Sequence, residues 1–242
     1  MKLNKDEFSL ERIYGRDFRF SQHSDYKLTL DSVLLGRFAE LERVKTAVDL
    51  GCATGILCFV LYARKAELKI TGVEIQKKLA ETAVKNVSEN KIENIKILNG
   101  DYTDKNFVNK LENYDLVLTN PPYMRINDGK RPLKDSEWKA CFEVDMNFEK
   151  LIATTAKILN NSGKFVFSHI PRRLTEIVTV LDKYNFGIKR LQTVHSFENS
   201  ESHFMMIEAV RNRKVQTIIE KPLIIFDSNR NYKGELGEIF GI

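Results

Sequence analysis

Asn120-Pro121-Pro122-Tyr123 is the stretch whose residue types point most directly to chemistry. An exocyclic aromatic amine is a poor nucleophile because its lone pair is delocalised into the ring. Two acceptors aimed at both of its N–H groups draw the nitrogen toward sp³ character, so that the lone pair can face a methyl donor. The Asn120 side-chain oxygen and the Pro121 carbonyl are suited to that task. Two prolines stiffen the turn before substrate arrives, and Tyr123 can stack on a purine withdrawn from its own stack. Neither a metal nor a nucleophilic side chain is required. A proline turn with a buried tyrosine is the alternative for such a tetrad taken out of context.

Asp49-Leu50-Gly51-Cys52-Ala53-Thr54-Gly55 is the second constellation. Glycines at a strand-to-helix turn let backbone approach a ligand closely, and the helix start favours its polar parts. The spacing Gly-x-x-x-Gly, with Ala53 between, departs from the G-x-G-x-x-G of nicotinamide dinucleotide sites. Glu74 falls at about the 20-residue spacing at which an acidic residue meets ribose hydroxyls; capping the next helix is its other reading. Ile75 follows it. Gly100-Asp101-Tyr102 offers a carboxylate for the amino group of an adenine, or equally a turn aspartate.

These residues need a scaffold, and the hydrophobic pattern supplies one. A helix is expected from Asp31 or Ser32 to Glu42. Strands are expected at 46–50, 69–75, 95–98, 114–119 and 163–168, alternating with helices at 56–65, 76–90, 104–111, 148–159 and 172–184. Each chemical residue then lies at a strand's carboxyl end, where open α/β sheets bind ligands. Two further extended runs, 187–195 and 203–210, have no helix between them and predict an antiparallel hairpin at one edge. The fold class expected is therefore α/β and Rossmann-like, with a seven-stranded, mostly parallel sheet. A single domain is expected over 1–242: an N-terminal segment and helix (1–45), the core (46–210) and an extension (211–242) containing the extended run Pro222–Phe226. Residues 124–145 read as a long loop that includes Trp138.

Lys and Arg number 38 against 33 acidic residues, a net charge of +5; this leans only mildly toward polyanions. Cys52, Cys58 and Cys141 form no CxxC pair, which argues against a zinc site or disulfide framework. His23, His169, His195 and His203 show no ligand spacing, so no metal is expected. The charged N-terminus lacks a signal core and no apolar run reaches membrane-spanning length, so a cytoplasmic protein with no membrane partner is expected.

The D-x-G-x-x-x-G turn, the acidic end of the second strand, the aspartate after the third and N-P-P-Y after the fourth resemble the class I amino-methyltransferases that use S-adenosylmethionine. More narrowly, the chain resembles the bacterial tRNA1(Val) adenine-N6 methyltransferases. Leu30–Leu35, Gly72-Val-Glu-Ile-Gln76, Pro171-Arg-Arg-Leu174, Val194-His195 and Pro222–Phe226 extend the likeness over nearly the whole chain. Ala53 stands where that family commonly has glycine, and Val194-His-Ser-Phe197 lacks the family's Pro-Arg. The resemblance implies that Asp31, Asp49, Gly51, Ala53, Thr54, Gly55, Glu74, Ile75, Asp101, Tyr102 and Asn120 hold the cofactor. It implies that Asn120, Pro121, Pro122 and Tyr123 are catalytic and that the partner is tRNA, bound by a protein expected to be a monomer. Lys130, Arg131 and Lys134 flank the expected base pocket, and Arg172, Arg173, Lys189 and Arg190 could continue a phosphate track. Protein glutamine N5-methylation, DNA adenine methylation and a non-catalytic nucleoside- or RNA-binding module are the rival readings.

Overall fold

The structure, a computed structural model, describes residues 9–21, 30–121, 123, 148–212 and 214–240. Two strands, β1 (Ser9–Ile13) and β2 (Arg16–Phe20), form an antiparallel hairpin that stands apart from the main sheet. Tyr14 and Gly15 both have positive φ, 51° and 72°, the turn geometry whose twist matches such a hairpin. Phe18 and Phe20 point inward, each with its ring edge-on to Phe59 at 5.2 Å.

The remaining elements alternate as the hydrophobic pattern requires. They are α1 (Leu30–Phe38), β3 (Thr46–Leu50), α2 (Ile56–Arg64), β4 (Lys69–Glu74), α3 (Lys77–Glu89), β5 (Ile95–Asn99), α4 (Lys105–Val108) and β6 (Tyr114–Thr119). After the segment 124–147 come α5 (Phe148–Ile158), β7 (Leu159–His169), a 3-10 turn (Pro171–Arg173), α6 (Leu174–Lys183), β8 (Phe186–His195) and β9 (Ser202–Arg211). The chain continues through β10 (Ile218–Ile219), β11 (Leu223–Ile224) and α7 (Glu235–Phe240).

The main sheet runs β10-β8-β9-β7-β6-β3-β4-β5, with β11 also pairing with β8. Strands β3 to β7 pair parallel with one another, whereas β9 is antiparallel to both β7 and β8. The seven expected strands are all present, including the terminal hairpin. Two short strands add to them by pairing parallel with the outer edge of β8. Strand order reverses direction between β3 and β6, which places a crevice at the carboxyl ends of these two neighbours.

Alternate residues of the sheet feed two separate cores. Ala47, Leu116, Leu118 and Val166 pack under α1, α2 and α3 on one face. Val48, Leu50, Val117, Phe165 and Phe167 pack under α4, α5 and α6 on the other. The register therefore determines which side chains rise beside the crevice.

One charged cluster is embedded in this architecture. Glu208 of β9 is fully buried and accepts from Arg190 (2.8 and 3.0 Å) and Lys189 (3.1 Å). Arg190 also meets Glu220 at 2.9 Å and lies over the Phe38 ring at 3.9 Å. Lys189 and Arg190 are therefore held by carboxylates, which corrects the expectation that they extend a phosphate track. Removing the Glu208 charge leaves a largely buried guanidinium undercompensated, which costs about 3–5 kcal/mol. Glu208→Gln is expected to lower the melting temperature by on the order of 10 °C. The paired Arg190→Met/Glu208→Met protein should recover most of that loss, and equal melting of wild type and Glu208→Gln would refute this account.

Candidate active site at the carboxyl edge of the sheet

The glycine turn leaves β3 and folds back on β4. Gly51 and Cys52 donate their N–H groups to the Val73 carbonyl at 2.8 and 3.0 Å, and Gly55 donates to Cys52 at 2.7 Å. Gly51, Ala53 and Gly55 all have positive φ, 84°, 48° and 95°. Ala53 thus occupies left-handed space that favours glycine, a physical reason for glycine to be common at that place. A Cβ built on Gly51 would meet no atom within 4 Å, so the turn presents open, side-chain-free backbone to the crevice. Thr54 is buried, and its carbonyl accepts from Asn86 (3.0 Å), which also bonds Ser21 beyond the N-terminal hairpin.

Glu74 closes β4 with 4% of its surface exposed. One carboxylate oxygen accepts the Ala53 N–H at 2.9 Å and the other the Gln76 N–H at 2.8 Å. Glu74 therefore both holds the glycine turn and caps the following helix, and each oxygen retains a further lone pair for a ligand hydroxyl. Burial raises its pKa, against the lowering effect of these N–H donors. Ile75 is 51% exposed, an apolar side chain at the mouth of the crevice. Its carbonyl and that of Glu74 are clamped by Asn99 at 3.0 and 2.8 Å. Asp101 accepts the Thr103 N–H at 2.7 Å, the turn arrangement weighed from the sequence. Tyr102 is half-buried, packed against the second core, and its carbonyl accepts from Thr154.

Asn120 follows β6 directly, and Thr119 ties that strand end to the Leu50 carbonyl at 2.7 Å. The asparagine and the glycine turn thus depart from adjacent, bonded strands. The Asn120 Nδ2 donates to Ser32 Oγ at 3.2 Å, which fixes the direction of the amide. Its Oδ1 accepts from Tyr123 Oη at 2.6 Å and from Ser168 Oγ at 2.5 Å. Asp31 Oδ2 also approaches the tyrosine hydroxyl, at 3.1 Å. The acceptor assigned to a target amine therefore faces the protein's own hydroxyls in this state. Burial holds the Asp31 carboxyl above its ordinary range and the Tyr123 hydroxyl well above its own. Pro121 is buried. Pro122, Lys130, Arg131 and Lys134, together with Trp138, lie outside the described residues.

Two basic residues expected on the RNA surface divide. Arg172 is exposed. Arg173 is 7% exposed, pairs in two-pronged fashion with Glu176 (2.8 and 2.9 Å) and donates to the Tyr123 carbonyl at 3.4 Å. This corrects its assignment to the phosphate track: its guanidinium ties the Tyr123 carbonyl to Glu176 of α6. Ser32, Ser168 and His169 were not singled out for this site from sequence. Only their position signals them, since Ser168 and His169 end the strand next to β6.

A cavity of about 350 Å³ lies elsewhere, between α1, α2 and β8 on the first face, lined in part by Arg37, Arg64 and Gln192. Arg64 there already bonds the Gly36 and Ala39 carbonyls, and Asn120 is not among the residues that line that cavity. Among the described residues no group of three or more His, Cys, Asp and Glu could hold a metal ion. No described helix is long and apolar enough to cross a membrane.

Asp49 and His169 give the site a pH signature. Burial and the neighbouring Glu74 carboxylate push Asp49 up from 3.8 to about 8. Burial and the Arg173 guanidinium push His169 down from 6.5 to about 4. A raised folded pKa stabilises at low pH and is lost as pH rises to about 8; a depressed one is lost as pH falls toward about 4. The two slopes oppose between about 4 and 6.5, and only that of Asp49 remains above. Stability should fall by up to about 1.4 kcal/mol per pH unit between 6.5 and 8, and Asp49→Asn should flatten the decline. An unchanged slope in that variant's melting temperatures would place the titration elsewhere.

A parallel sheet in this strand order, with a glycine turn and an acidic strand end at its carboxyl edge, defines a class I methyltransferase fold. The chain belongs to the methyltransferase small domain family, whose model matches residues 24–183. The tRNA1(Val) (adenine(37)-N6)-methyltransferase of Flavobacteriaceae bacterium (strain 3519-10) is 27% identical over 203 residues, covering 83% of this chain and 84% of that protein. The protein of the same name from Pedobacter heparinus is 29% identical over 193 residues, covering 75% and 79%. Among solved structures, a predicted O-methyltransferase from Agrobacterium tumefaciens superposes with a TM-score of 0.69 at 20% identity, covering 88% of this chain and 96% of that one.

Proposed function

We propose that this protein is an S-adenosylmethionine-dependent methyltransferase acting on the N6 amine of an adenine in tRNA, the purine beside the anticodon of a valine tRNA. The observation that carries the reading is the pairing of β3 with β6, which sets the Gly51–Gly55 turn beside Asn120. The names of the relatives support the choice of substrate.

When bound, S-adenosylmethionine supplies an electrophilic methyl group on a sulfonium. Gly51, Ala53, Thr54 and Gly55 offer backbone to it, Asp31 and Asp49 lie on the side suited to its charged end, and Glu74 accepts from ribose hydroxyls. Ile75 and Tyr102 border the adenine, with Asp101 as acceptor for its amino group. Asn120 Oδ1 and the Pro121 carbonyl receive the two N–H groups of the target amine, so that its lone pair faces the methyl. Tyr123 gives up its bond to Asn120 as the base enters and stacks against it. Proximity and these acceptors drive the transfer. In this reading Lys130, Arg131, Lys134 and Arg172 are the residues assigned to the RNA phosphates, with the protein acting as a single-domain cytoplasmic monomer.

Tritiated methyl transfer from S-adenosylmethionine to bulk tRNA, duplex DNA and a release-factor peptide tests it directly. Label is expected in tRNA as N6-methyladenosine, and label in the peptide or DNA alone refutes the assignment. Digesting tRNA from cells with and without the protein then locates the adenine.

A further inference from the structure

His169 ends β7 as a fully buried side chain, one residue beyond the serine that bonds Asn120. Its ring lies against Tyr123 at 5.7 Å and meets Phe148 edge-on at 5.4 Å. Nδ1 accepts the Ile170 N–H at 2.9 Å. A ring nitrogen that accepts carries no proton, so in the neutral imidazole the proton resides on Nε2. That N–H is buried without a hydrogen-bond partner among the described residues. Native folds keep few such donors, because an unmade buried bond is costly.

The position of this donor suggests its acceptor. A target amine can reach Asn120 Oδ1 only if the Tyr123 hydroxyl leaves it, and Tyr123 is also the ring packed on His169. One movement therefore clears the acceptor and uncovers the imidazole. In adenine the exocyclic amine is flanked by N1, bonded to the same carbon, on one edge and by N7, one carbon further round, on the other, and both accept. In guanine N1 bears a hydrogen, and the amine is replaced by a carbonyl that would face the Asn120 oxygen.

We propose that His169 is a specificity-determining residue whose Nε2–H donates to a ring nitrogen flanking the amine of the target adenine. This rests on the methyltransferase reading above. It makes adenine recognition two-sided, with an acceptor at Asn120 for the amine and a donor at His169 for the ring.

The test pairs side-chain and base substitutions. Wild type, His169→Phe and His169→Gln are compared on tRNA carrying adenine, 1-deazaadenine or 7-deazaadenine at the methylated position, with cofactor affinity and melting temperature measured for each protein. Wild type should lose about 10- to 100-fold in kcat/KM on one of the two deaza substrates. His169→Phe should lose a similar factor on adenine yet show no further loss on that substrate. His169→Gln, whose amide can still donate, should retain part of the activity and the discrimination. Equal deaza penalties in all three proteins overturn the proposal and leave the proton to the Phe148 ring. Wild-type kcat/KM in the Phe variant does the same. Absence of any methyl transfer by wild type to tRNA removes the functional reading itself, and this proposal with it.

Discussion

Asn120→Ala is expected to lower kcat by about 100- to 1,000-fold while leaving cofactor affinity within a few-fold of wild type. The magnitude is that of deleting one preorganised polar group aimed at charge developing in a transition state. Asn120 makes two kinds of contact. Its Nδ2 donates to Ser32, which holds the amide in one orientation, and its Oδ1 receives the hydroxyls of Tyr123 and Ser168. The contacts to Tyr123 and Ser168 organise the oxygen in the absence of substrate, and the tyrosine's place is the one an amine proton would take. Alanine removes the oxygen and leaves the glycine turn untouched, so the deficit belongs in kcat. Single-turnover methyl transfer with saturating cofactor, alongside calorimetric titration of the cofactor, separates the two. An Asn120→Ala protein that transfers methyl at the wild-type rate would falsify the acceptor mechanism.

Glu74→Ala is expected to weaken cofactor binding by about 100-fold or more. Two backbone donors, from Ala53 and Gln76, lose their acceptor, and a ribose hydroxyl loses one as well. Bonds to a charged partner contribute about 1.5–3 kcal/mol each. Ala53 sits at a φ of 48°, so the glycine turn relies on Glu74 to hold a conformation that alanine does not prefer. Glu74→Gln keeps one acceptor oxygen and should fall between the two. Calorimetric affinities within about threefold of wild type in the Ala variant would show that the carboxylate only caps α3.

Much of this site could be read from the order of residues. The glycine turn, Glu74, Asp101 and Asn120 each lie at or just beyond the end of an apolar strand, and a parallel sheet brings all such positions to one edge. The strand boundaries agreed to within a few residues where apolar periodicity was clear. The N-terminal hairpin was missed because charges at Glu11, Arg12, Arg16, Asp17 and Arg19 hide the alternation that buries Ile13, Phe18 and Phe20. The turn dipeptide Tyr14-Gly15 was its signal. Strand β11 falls within the extended run expected at Pro222–Phe226, whereas β10 is two residues, too short for a pattern. Arg190 looks like a surface cation in sequence, and only tertiary structure reveals Glu208 and Glu220 beside it; Arg173 pairs with Glu176, a local neighbour three residues on. The bonds of Ser32 and Ser168 to Asn120 span 88 and 48 positions, beyond the reach of any local signal.

The two short strands along β8 bear on how the molecule meets its own kind. A ten-residue strand at the end of a sheet carries an unpaired row of amides onto which another chain can zip. Here Ile218–Ile219 and Leu223–Ile224 occupy that row in two instalments, and Pro222 between them has no amide proton to offer a newcomer. The segment after β9 thereby acts as a selvedge, finishing the weave so that it does not run on into fibres.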